Sequence, residues 1–293
     1  MSPASRRSGR TAVHLDTHAV DHYLAHGELA TSWVVRAAAG DDAGSAHPVL
    51  PHADDRAVVR GLRDALVRLL DPFAPAHPDA WAAVAPDWPA RVEDARVALV
   101  VGWPEPYDAG VRTDPDGRDV VVLDVARLAG YGPDAGLATA RTVLDHEVAH
   151  VLVASLWPAG AAAGHRSRLD RLVFDEGLAH HLAMRGHPAL APSSAALAGR
   201  RRAAHDALRD ARDLTDPDAQ RAALHRAAAA DDFWDKFGCV AGLLAFADAE
   251  RTGGLGGPAA LARLGWPGFV DRVLARPPVA APTEPSRSPA GRE

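Results

Sequence analysis

Asp119-Val120-Val121-Val122-Leu123-Asp124 and, after sixteen intervening residues, Arg141-Thr142-Val143-Leu144-Asp145-His146-Glu147-Val148-Ala149-His150-Val151-Leu152 mark the point where the chain changes its pattern. The first run is β-branched and bounded by Asp, which reads as a strand. The second has helix-forming composition and places His146 and His150 one turn apart on one face. Upstream, Arg96-Val97-Ala98-Leu99-Val100-Val101-Gly102 reads as another strand and Ser32 to Arg36 as a candidate third. Asp54 to Leu70 carries Val58, Leu62, Ala65, Leu66, Leu69 and Leu70 on one helical stripe, and Asp71-Pro72 stops it. Beyond residue 137 Ala, Leu and Arg dominate, and helices are expected at roughly 138–156, 172–185, 195–212, 217–230 and 235–251. Strands first and helices later favour an α+β fold, a small mixed sheet followed by a mainly helical half, over alternating βαβ units.

The expected organisation is a disordered tail over residues 1–13, an α/β subdomain over 14–157, a helical subdomain over 158–275 and a Pro/Ser/Arg-rich tail over 276–293. With 293 residues and 47% hydrophobic composition, the chain can bury a sizeable core. A net charge of -6 without any basic run argues against a nucleic-acid partner. Arg6, Arg7 and Arg10 are followed by no apolar stretch, and no later span could cross a bilayer, so the expected location is the cytoplasm with no membrane partner. Cys239 is the single cysteine, so no intramolecular disulfide and no Cys-based zinc site is expected, and any metal must use His and carboxylate.

His146-Glu147-Val148-Ala149-His150 has the form such a site takes. Two imidazoles one turn apart can share one tetrahedral ion, and Glu147 is offset so that it can take a proton from a zinc-activated water without being a ligand. With 15 His and eight Glu in the chain, such a pentad is expected by chance only about 0.02 times. The plainer alternative is a helix with two surface histidines. A third ligand is needed, and Glu176 in Phe174-Asp175-Glu176-Gly177-Leu178-Ala179 is the candidate, because an unpaired carboxylate in so apolar a stretch is costly to bury. Its alternative role is a first-turn carboxylate that complements the helix dipole.

Together these two motifs resemble the gluzincins, the thermolysin-like and aminopeptidase-like zinc metallopeptidases, and most closely their bacterial predicted zinc-dependent proteases. The likeness is specific over about residues 139–184. It implies a zincin-like fold with the active-site helix between sheet and helical half, Zn2+ held by His146, His150 and Glu176, Glu147 as general base, and a peptide or protein substrate. It also implies that the strand at 119–124 offers its edge to an extended peptide.

Asp175 reads as a helix cap in preference to a partner that orients a histidine. His180, four residues after Glu176, is a candidate partner for a ligand or donor to substrate where the resemblance implies an aspartate; its alternative is surface exposure. His181 reads as solvated. The late helix opening at Phe233-Trp234-Asp235-Lys236-Phe237 places Phe237, a core residue by type, where the resemblance implies a tyrosine that steadies the oxyanion; Lys236, His180 or Tyr131 are the substitutes. His14, His18, His22 and His26 recur every fourth residue near Asp21, but a solvated helix face explains them as well as a second metal site does.

Overall fold

The computed structural model describes residues 11–34, 55–103, 108–158, 164–190, 195–230 and 232–275. The element order is β1 (His14–Asp16), α1 (His18–His26), α2 (Arg56–Leu70), α3 (Pro78–Val84), α4 (Trp88–Arg91), β2 (Arg96–Val100), β3 (Ala109–Thr113) and β4 (Asp119–Asp124). Among the described residues only helices and turns follow: α5 (Val125–Ala129), α6 (Pro133–Leu156), α7 (Gly164–Met184), α8 (Ala195–Arg212), α9 (Pro217–Ala228), α10 (Phe237–Gly253), α11 (Gly256–Arg263) and α12 (Phe269–Leu274). This is an α+β architecture with a small mixed sheet, in the order expected from the sequence.

The sheet runs β1-β2-β4-β3, with β2 parallel to both β1 and β4 and β3 antiparallel to β4. Successive side chains of a strand point to opposite faces, and here both faces are covered. Val97, Leu99, Val121 and Leu123 enter the main core against the helices. Ala98, Val100, Val120 and Val122 enter a smaller one with Ala19, Val34 and Trp103. Burial on both sides explains why these strands read as unbroken apolar runs. The order also corrects the expectation for residues 119–124: β4 is flanked on both sides, and the edge beside α6 belongs to β3.

Four other expectations are corrected. Trp33 and Val34 are helical where a third strand was expected, Val35 and Arg36 lying outside the described residues. The buried stripe of α2 is Val59, Leu62, Leu66 and Leu70, and Val58 is exposed. Thr11 belongs to the body, its backbone pairing with Phe73 and its hydroxyl donating to the Pro89 carbonyl; residues 1–10 and 276–293 lie outside the described residues. Finally, α7 begins at Gly164, well before residue 172. Its polar first turns are fixed by tertiary partners: His165 is buried with Nε2 2.7 Å from the Ala211 carbonyl oxygen, Arg166 pairs with Asp213, and Asp170 accepts the Gly268 and Val270 amides.

One hydrophobic core runs from Val20 through α6 and α7 to Val273, across the boundary expected near residue 157. Asp124 closes the sheet onto the helices, accepting the Ala126 and Arg127 amides at the start of α5 and the Trp103 amide on its other oxygen. Among the described residues no helix is long and apolar enough to cross a membrane.

Candidate metal centre

Helix α6 starts on Pro133 with Asp134 in its first turn, a favourable N-terminus. Leu144, Val148, Ala149 and Leu152 bury one side, which turns His146, Glu147 and His150 toward α7. Asp145 is buried beside them and accepts the Ala76 amide at 2.8 Å; burial lifts its carboxyl to about 7 against that hydrogen bond. The sequence reading passed over Asp145, which fixes the helix to the segment between α2 and α3.

Helix α7 supplies the carboxylates. Gly177 packs so closely on Gly242 of α10 that a Cβ there would lie 2.5 Å from the Gly242 Cα. This contact seats α7 between α6 and α10, with Glu176 facing α6. Glu176 and Asp175 therefore stand in mid-helix, and neither is the first-turn carboxylate or cap weighed from the sequence.

The three expected ligands converge. His146 Nε2 and His150 Nε2 are 3.0 Å apart, and each is 3.8 Å from a different oxygen of Glu176. Tetrahedral ligands at zinc distances of 2.0–2.1 Å are separated by about 3.3 Å, so these donors surround a space of the right size for one ion. His150 Nδ1 meets Asp175 Oδ1 at 2.8 Å, which leaves Nε2 free for the shared point. Asp175 thus orients a histidine. His146 Nδ1, by contrast, is buried without a hydrogen-bond partner among the described residues.

The electrostatics follow from burial and from this convergence. Burial pulls His150 down, but the adjoining Asp175 carboxylate, with Glu176 and Glu147, overrides it and raises the imidazole to about 10. His146 is pushed well below its ordinary value by burial and by the charges of His180 and His150. Glu176 is held below the usual carboxylate range despite burial, through its bond to His180 and the charges of the three histidines. Burial raises Glu147 to about 7, with His150 and Arg112 opposing and Glu176 adding to the rise.

His180 is largely covered, its Nε2 3.5 Å from Glu176 Oε2 and its ring packed against His146 and Phe233, so the exposed alternative does not hold. His181 is also buried, 3.6 Å from Glu250 and stacked on Phe246, where solvent was expected. Phe237 packs in the core at the start of α10. Lys236, half-buried just before it, lies near enough for its charge to weigh on His146 and His180. Tyr131 is exposed and donates to Asp108.

Cys239, which the sequence alone sets apart from any metal site, stands beside an expected ligand. It is buried on α10 with Sγ 3.4 Å from Glu176 Oε2. The small residues Gly238 and Gly242, one helical turn apart on α10, are the sequence signal that this helix can approach another closely. The stripe around α1 is different: His18 and His26 are exposed, and Asp21 is taken by Thr17 and Arg63. Compared with protein families, with curated proteins and with solved structures, the chain finds no match.

Proposed function

We propose that the protein is a zinc-dependent hydrolase of peptide bonds, a zincin-like enzyme of the gluzincin kind. The observation that carries this reading is the meeting of His146 Nε2, His150 Nε2 and Glu176 around one point, with Glu147 beside them and outside the donor set. His146, His150 and Glu176 would hold Zn2+, which would supply Lewis-acid activation of a water molecule and of the scissile carbonyl there. Glu147 takes the proton from the attacking water and delivers it to the leaving amine. A carboxyl raised to about 7 by its buried setting is well matched to both halves of that transfer near neutrality. Asp175 keeps the His150 ring turned so that Nε2 faces the shared point. An extended peptide pairs with β3, whose free edge among the described residues lies beside α6.

Elemental analysis of the purified chain tests the metal, and Glu147→Gln tests the chemistry. The variant should retain zinc while cleavage of a mixed peptide library falls by roughly 10²- to 10⁴-fold. Unchanged turnover would sink the mechanism.

A second reading is a metal-stabilised binding module of the same architecture without turnover. It is favoured by Phe237, which has no donor at the start of α10, and by Tyr131, whose hydroxyl is engaged with Asp108. It predicts stoichiometric zinc and no cleavage by the unaltered chain.

A further inference from the structure

Glu176 has two oxygens and two sets of neighbours. Oε1 faces His150 at 3.8 Å. Oε2, besides lying 3.8 Å from His146, is 3.5 Å from His180 Nε2 and 3.4 Å from Cys239 Sγ. The donor atoms of Glu176, His180 and Cys239 lie within 4.8 Å of one another, as do those of His146, His150 and Glu176, and the two sets meet only at Glu176. Cys239 and His180 therefore do not complete the first ion's shell. With Glu176 Oε2 they form a neighbouring donor set of their own, and the His146 and His180 rings lie 4.0 Å apart between centroids.

The geometry points to a second cation position, held by His180, Cys239 and Oε2 of Glu176, with the Glu176 carboxylate bridging two metal ions. The inference rests on the first ion being held as proposed above. A thiolate, an imidazole and a carboxylate suit a borderline-soft divalent ion such as Zn2+ or Co2+, and paired ions with a shared carboxylate stand about 3.5–4 Å apart in hydrolytic centres. Binding exchanges the Cys239 S–H for a metal–sulfur bond and releases that proton to solvent. The donors come from α7 and α10, and the Gly177–Gly242 contact holds those helices at the separation the set requires.

The test uses the full chain, stripped of metal by a chelator and titrated with Co2+, with bound metal measured after desalting and absorption followed throughout. Two equivalents should bind, and a thiolate-to-cobalt charge-transfer band in the near ultraviolet should grow with one of them. Cys239→Ser should bind one equivalent and show no such band. His180→Gln, at a position less covered than Cys239, should likewise lose one equivalent and serves if the buried serine disturbs folding. A single equivalent in the unaltered chain, with or without the band, overturns the second position. If that equivalent disappears in His150→Ala, the hydrolase reading survives; no bound metal at all overturns both.

Discussion

His146 and His150 have the same four-residue spacing as His18 and His22, yet the two pairs live in different surroundings. The rings at α6 meet at 4.5 Å, largely buried, with Glu176 and Asp175 brought to them from another helix. Those of His18 and His22 are 6.5 Å apart at the surface, and Asp21, the acid between them in sequence, is committed to Thr17 and Arg63. Spacing aligns imidazoles; a second element turns alignment into a donor set. A carboxylate on the same helix as its histidines is free to find another partner, whereas Glu176 is held against them by the packing of α7.

The comparison breaks most visibly with the histidines themselves. His150→Ala should abolish stoichiometric zinc, while His22→Ala should leave it unchanged; equal metal content in the two variants would remove the distinction. The next largest effect concerns the carboxylates behind the rings. Asp175→Asn should weaken zinc binding by about 10- to 100-fold. Asp21→Asn should not alter it, and removal of its exposed pairing should lower stability by no more than about 1 kcal/mol in urea unfolding.

A packing variant probes the same contrast without touching a donor. In Gly242→Ala the new methyl would fall against the Val173 carbonyl oxygen, so α10 must shift and stability should drop by about 1–3 kcal/mol. Metal held by the buried pair should weaken with it, and a stability equal to the parent's would contradict the close approach.

His181 adds a third kind of histidine, buried and without a donor set. Burial lowers its folded-state pKa despite the Glu250 charge. Above about 6.5 both folded and unfolded chains leave such an imidazole neutral, so its favourable contribution is fully present there. As pH falls below that value the unfolded chain takes up the proton first, and stability declines toward the lower folded value. His181→Asn should flatten this part of the stability-pH curve measured by thermal unfolding; an unchanged slope would place the proton uptake elsewhere.

Much of the site was legible because it is local or because one residue type is scarce. The His146–His150 helix, Glu176 and the α+β order all follow from periodicity and from how few glutamates the chain has. The hidden parts depend on partners distant in sequence. Gly164 to Arg171 reads as polar connection until Ala211, Asp213 and the start of α12 are seen to satisfy it. Asp175 reads as a cap because nothing local shows that the helix has already run for more than two turns. Ala109 to Thr113 has little strand character; it pairs through a turn in which Asp114 accepts the Asp116 and Arg118 amides and Gly117 takes a positive φ of 80°. That hairpin puts β3, and not β4, at the edge of the sheet.

The contact between Gly177 and Gly242 has a mechanical consequence. Where two helices meet through side chains, thermal motion can both squeeze and spread them, since rotamers yield in either direction. Here backbone meets backbone, and nothing between them can be compressed. The junction acts as a one-sided stop: α7 and α10 can breathe apart but not closer. Fluctuation can therefore only widen the separation of the two backbones at the point from which Glu176 and Cys239 project.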